Sequence, residues 1–205
     1  MPMRLHKDGV PISCVEDWQR LAPPKAEHQW VAGRSAYELA HAWCGRGVPA
    51  IPAELTTLFE SRPETRGLII DDVVPEHRVS FDAHGGEPRN ADLALLAHTT
   101  DSTVAVTIEA KADEPFGTTV GQTIADALER AIENPRSRGV RRVEDLVRAL
   151  LLPRSKGLPH VCDLRYQLLT AVAGTLAYAA KESASLAGID RSRVRHGQDA
   201  GQASH

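Results

Sequence analysis

The sequence is poor in cysteine: Cys14, Cys44 and Cys162 are odd in number, widely separated and contain no CxxC pair. That excludes a disulfide framework and a zinc ribbon, and makes a reducing cytoplasm the expected compartment. Aromatic residues make up only 4% of the chain, so a nucleic-acid surface built on base stacking has little to draw on. The formal net charge is only -3, which excludes a wholesale basic coat and leaves any polyanion partner to a local surface. The opening segment MPMRLHKDGVPISC lacks the apolar core of a secretory signal. The longest weakly polar stretch, Leu168 to Ala180, is shorter than the ~20 residues that cross a bilayer and reads as a buried helix, so no membrane partner is expected. Also missing are a Gly-rich phosphate loop, a Gly-x-Ser-x-Gly elbow, and any i, i+4 pairing of a second ligand with His28, His41, His77, His84, His98 or His160. Nucleotide hydrolysis, esterase chemistry and a helical zinc site thereby lose their footholds.

What is present is an ordinary globular composition, 42% apolar and 25% charged over 205 residues. A chain of this length buries roughly 70% of its unfolded surface as one domain. Helical periodicity is read over 14–22 and 33–46, where Ala36, Leu39, Ala40 and Trp43 recur on one face, and a short helix is read over 52–61. Residues 1–32 are taken as a helical N-terminal extension. From Gly67 the period changes to that of strands, expected near 67–74, 77–83, 91–97 and 103–111. Helical spacing returns in Val120, Ile124, Ala127, Leu128, Ala131 and Ile132, then over 141–152 and about 163–183. Residues 187–205 carry no apolar periodicity and read as a disordered tail after a single domain of 1–186. The order helices, antiparallel sheet, helices implies an α/β (α+β) layered fold with a central sheet flanked by helices.

The chemistry concentrates in one hairpin. With its turn centred between Thr100 and Asp101, residues whose numbers sum to 201 face each other, which sets Asp92 opposite Glu109. Alternation along the second strand puts Thr103, Ala105, Thr107, Glu109 and Lys111 on one face. Two facing carboxylates repel unless a cation lies between them or one takes up a proton. Magnesium suits such a pair because it takes oxygen ligands from one or two carboxylates and keeps several waters, with manganese as an alternative. The backbone carbonyl of Ala110 offers a third oxygen. Residues 71–116 hold ten acids against Arg78, Arg89 and Lys111, a neighbourhood that attracts cations. The competing reading is the wet side of an antiparallel sheet.

The segments AsnAlaAspLeuAlaLeuLeuAla (90–97) and ValAlaValThrIleGluAlaLys (104–111) resemble the PD-(D/E)XK nuclease superfamily, whose signature is Asp, a hairpin, then Glu-x-Lys. Ala91 stands where the motif's name has proline. The resemblance implies a restriction-endonuclease-like core in the order α-β-β-β-α-β, with a mixed sheet and magnesium-dependent hydrolysis of phosphodiester bonds. It makes Asp92 and Glu109 the metal ligands and Lys111 the catalytic lysine. It also implies a glutamate on the first core helix, for which Glu38 is the match, although Ser35 and Glu38 equally read as a capping box. A glutamine on the helix behind the Glu-x-Lys strand is a further expectation. Gln122 and Gln167 compete for that part; Gln167, beside Arg165 and Tyr166, is favoured, which makes 118–160 a helical insertion. No segment after the last helix reads as the final core strand, so a scaffold that binds without cleaving stands as the alternative to a nuclease.

The segment 136–156 carries Arg136, Arg138, Arg141, Arg142, Arg148, Arg154 and Lys156 against Glu144 and Asp145. Arg138, Arg141 and Arg142 are the expected phosphate contacts, with a solvated helix face as the competing reading. The expected partner is nucleic acid, DNA first, and members of the superfamily commonly form a homodimer.

Overall fold

The computed structural model describes residues 2–112, 116–153, 155 and 157–190. Arg154, Lys156, Asp113, Glu114 and the expected tail from 191 to 205 lie outside the described residues. Six strands form one mixed sheet: β1 (Arg4–Lys7), β2 (Val10–Pro11), β3 (Ile69–Val79), β4 (Arg89–His98), β5 (Thr103–Ile108) and β6 (Leu186–Asp190), in the order β2-β1-β3-β4-β5-β6. Six helices flank it: α1 (Val15–Leu21), α2 (Ser35–Cys44), α3 (Ala53–Glu60), α4 (Val120–Glu133), α5 (Gly139–Leu150) and α6 (Tyr166–Lys181). The protein is therefore of the α/β (α+β) class that the element order implies. No described helix is long and apolar enough to cross a membrane.

The sheet is covered on both faces. One face carries Leu93, Leu95, Ala97, Val104, Val106 and Ile108 into a core with Leu39, Ala40, Trp43, Leu55 and Phe59 from α2 and α3. The other carries Ala94 and Ala105 against Tyr178 and Ala179 of α6. Every residue of β5 after Thr103 is buried, as a central strand between two helical layers requires. Helix α6 reaches the sheet closely because its inner face is small: Gly174, Thr175 and Ala171 are buried there, and Thr175 shares a hydrogen bond with Thr107 of β5. Helices α4 and α5 build a satellite cluster of Val120 and Val143 on Leu169, at the start of α6.

Three expectations are corrected. The N-terminal extension is not only helical: β1 and β2 form a hairpin around Asp8 and Gly9, whose φ angles of 49 and 82 suit a tight two-residue turn, and β1 joins β3 in parallel. The strands read over 67–74 and 77–83 are one strand, β3. Residues 187–190, read as the start of the tail, belong with Leu186 to β6, parallel to β5 through Val104↔Leu186 to Ile108↔Asp190. Each missed strand is short, and β6 alternates only half-buried and exposed positions at a sheet edge, so its apolar signal is faint.

Strand β3 also changes face partway. Val73 belongs to the core under α2, whereas Val79, six residues on, packs with Tyr178 of α6. A regular strand would keep both on one side. Glu76 lies between them with φ 49, a left-handed conformation that costs a side-chain-bearing residue energy and turns the strand.

Candidate active site

The hairpin of β4 and β5 pairs Leu93↔Ile108 and Ala94↔Thr107, so the register continues to Asp92 opposite Glu109. Asp92 is tied to the outgoing chain: its Oδ2 accepts a hydrogen bond from the Ala110 amide at 2.7 Å. Glu109 is held by its own amide, which donates to the Asp190 carbonyl of β6 at 3.0 Å. Its side chain is 1% exposed. Gln167, in the first turn of α6, donates from Nε2 to Glu109 Oε2 at 3.3 Å. Gln122 does something else: with Thr119 it forms the capping box of α4. Arg165 also stays local, donating to the Gly117 carbonyl at 2.9 Å.

A cation that the sequence did not single out completes this group. The guanidinium of Arg89, at the start of β4, is ion-paired with Glu109 Oε2. Its stem passes under α6 where Gly174 makes room, since a Cβ there would come within 2.8 Å of Arg89 Cγ. By strict alternation Arg89 would point away from Asp92, but beyond the left-handed Glu76 both Arg89 and its β3 partner Val79 lie against α6. Glu109 Oε1 and Arg89 Nε are buried without a hydrogen bond. Lys111 is half-buried, with Nζ 5.6 Å from the centre of the Phe116 ring. Burial raises the Glu109 carboxyl above its usual range, the Asp92 charge raises it further, and Arg89 and Lys111 oppose both.

Glu76 extends the acidic row. The pairs Pro75↔Leu93 and His77↔Ala91 bracket it opposite Asp92, so Glu76, Asp92 and Glu109 occupy matching positions on three adjacent strands. Its carboxylate accepts from Asn90 Nδ2, and Lys7 Nζ donates to the Pro75 and Glu76 carbonyls at 3.1 and 2.8 Å. Burial pushes Glu76 up to about 7, the Asn90 hydrogen bond opposes this, and the Asp92 charge adds to it. A carboxyl raised in the folded state binds a proton that the unfolded chain has released, so its stabilisation is full in mild acid and is lost as pH rises through about 7. Glu76→Gln keeps the acceptor and removes the charge. The variant is expected to melt a few degrees higher than wild type at pH 8 and to show no gain at pH 4.5, in thermal unfolding followed by circular dichroism.

The residues fit a divalent cation in part. Asp92 and Glu109 are hard oxygen donors at facing positions, and Glu109 Oε1 is a buried acceptor with nothing to accept from. Among the described residues, no three His, Cys, Asp or Glu side chains come together as a metal group, so Glu38 is not a third ligand beside them. Glu38 instead accepts from the Gly33 amide at 2.7 Å, reaching back across the start of α2. The helix begins at Ser35 with Arg34 as its cap, and the Glu38 amide donates to the Arg34 carbonyl at 3.0 Å. Protein donors are thus two carboxylates, with the Ala110 carbonyl as the remaining oxygen of the expected set.

The four arginines of α5 and its cap divide. Arg142 is used inside the protein: Nε donates to Asp82 at 2.6 Å, Nη2 to the Glu87 carbonyl at 2.8 Å, and the guanidinium lies 4.7 Å from the Phe81 ring. It clamps the loop leading into β4 onto α5. Arg138 and Arg141 are exposed, while Arg148 pairs with Glu144 at 2.9 Å.

On the central hairpin of this α/β fold, buried Glu109 faces half-buried Asp92 and takes a hydrogen bond from Gln167 of α6. The chain belongs to a family described as a domain of unknown function (DUF6946), which matches residues 11–189. Searches of curated proteins and of solved structures return no match.

Proposed function

We propose that the protein is a magnesium-dependent nuclease of the PD-(D/E)XK kind, acting on DNA, with Asp92, Glu109 and Lys111 as its active residues. The observation that carries this reading is Glu109 itself: a fully buried carboxylate with one unpartnered oxygen, facing Asp92 and two residues from Lys111. Burying a glutamate is costly. The element order α2, β3, β4, β5, α6, β6, with β6 parallel to β5, supports the same reading, because it matches the order that the resemblance implies.

A divalent cation held by Asp92 and Glu109 would supply Lewis acidity toward a phosphoryl oxygen and make water a nucleophile at neutral pH. The chain's own groups do the rest. Asp92, fixed by the Ala110 amide, keeps its carboxylate at the end of the hairpin. Gln167 orients Glu109. The Lys111 ammonium stabilises the negative charge that grows on phosphorus-bound oxygens as water attacks and the P–O bond breaks, the leaving oxygen taking a proton. Arg138 and Arg141 offer exposed charge to more distant phosphates.

Cleavage of plasmid and linear DNA with magnesium tests the proposal directly. Lys111→Ala and Asp92→Asn are expected to lower the rate by about 100-fold or more, the range typical of losing one positioned charge or proton-transfer group. Equal rates in wild type and both variants would remove the catalytic assignment. A scaffold that binds without cleaving is favoured by one observation, the Arg89 ion pair, which already gives Glu109 a cation.

A further inference from the structure

We infer that Arg89 belongs to the working site: it occupies Glu109 in the cation-free protein, yields that carboxylate to a divalent cation, and then presents its guanidinium to the substrate phosphate. The inference rests on the proposed function and accounts for the one observation that opposes it. Without a cation, Arg89 and Lys111 stand against the carboxyls of Glu76, Asp92 and Glu109, and Arg89 is the cation paired with Glu109. A divalent cation on Asp92 and Glu109 would add two positive charges beside Arg89 and Lys111, and the group that must yield Glu109 is the one already paired with it, Arg89. Lys111 follows Glu109 by two residues just beyond β5, whereas Arg89 reaches Glu109 from β4 along a four-atom stem.

The local structure suits such an exchange. Gly174 keeps a slot open for the Arg89 stem between β4 and α6. Glu109 shares only one oxygen with Arg89 and Gln167, and its other oxygen is left without a partner. Arg89 Nε is likewise buried and unpartnered, while its side chain as a whole retains 14% exposure. A structural arginine–carboxylate pair commonly uses both oxygens in a two-pronged contact. Here one prong is unmade on each side: Glu109 lacks a donor and Arg89 lacks an acceptor. A divalent cation answers the first want and a phosphate oxygen the second.

Calorimetric titration of the full chain with magnesium alone, at pH 7.5, reads the exchange without requiring catalysis. Arg89→Gln is expected to bind magnesium about tenfold more tightly than wild type, since removing a bound competitor raises apparent affinity. Arg89→Lys, which keeps the charge and guards against loss of fold, is expected to bind more tightly by a smaller factor; Glu109→Gln is expected not to bind. Binding of a short DNA duplex in calcium reads the second half: both Arg89 variants are expected to lose about tenfold in affinity with the cation and to match wild type without it. A merely structural arginine would leave magnesium affinity unchanged or weakened in both variants, and that result overturns the inference even if DNA is cleaved. DNA affinity lowered equally with and without calcium also overturns it. Tighter magnesium binding together with unchanged cleavage in Lys111→Ala would instead sink the proposed catalysis and leave the exchange standing. Absence of magnesium binding in every protein rules out both.

Discussion

Arg89→Ala is expected to lower the unfolding free energy by about 3–5 kcal/mol at pH 8, the usual cost of removing one partner from a buried ion pair. The penalty arises less from the lost attraction than from Glu109, which is 1% exposed and would be left charged with only Gln167 nearby as a donor. The sign of the pH dependence follows. Glu109 is already raised above the usual carboxylate range, and losing Arg89, which opposes that rise, moves it further up. The variant's Glu109 then takes up a proton on mild acidification while the unfolded chain's does not. Stability lost at pH 8 therefore returns in part as pH falls toward 5. Adding Glu109→Gln to Arg89→Ala is expected to recover most of the loss, because a neutral amide replaces the stranded charge. Urea unfolding of the four proteins of this cycle at both pH values measures the coupling. A pH-independent loss below 1 kcal/mol would mean that the pair is solvated and of little weight.

Trp43→Ala is expected to cost about 3–5 kcal/mol and to lower Tm by roughly 10 °C. Trp43 is 2% exposed and sits with Leu39, Ala40 and Cys44 on the inner face of α2, in the core that includes Val106, Ile108 and Ala110. A cavity there lies directly behind the strand that carries Glu109. Ile132→Ala is the fitting control: Ile132 is 84% exposed on α4, and its truncation should change stability by less than about 0.5 kcal/mol. Similar melting of both variants would mean that α2 does not form the main core.

The parts of the fold legible in the sequence were those with a long or repeated pattern. Helices α2, α4 and α6 declared themselves by apolar spacing over several turns, and the β4–β5 hairpin by its symmetry, which placed Leu93 against Ile108 and, by extension, Asp92 against Glu109. Strands β1, β2 and β6 were not legible because two to five residues cannot establish a period of two. The Asp8-Gly9 turn was the one available sign of the first hairpin. The site was legible as far as residues adjacent in register go. Gln167 approaches Glu109 from α6, where its neighbours Arg165 and Tyr166 drew notice. Arg89 escaped because the strand alternation that correctly paired Asp92 with Glu109 points Arg89 the wrong way, and Glu76 escaped because its position depends on a left-handed residue that no alternation rule contains. Arg142, read from a run of like charge as a phosphate contact, is occupied by Asp82 and Glu87, contacts that depend on tertiary structure alone.

The placement of β6 sets an order of events during folding. Strands β4 and β5 meet through a four-residue turn and can pair within microseconds, whereas β6 must return across the whole of α4, α5 and α6 to reach the other side of β5. Until it does, the apolar strand leading to Glu109 is an open edge of valines and isoleucine, the kind of segment that recruits strands from neighbouring chains. Expression yield and aggregation in this protein are thus expected to depend more on how fast α6 docks than on how stable the finished sheet is.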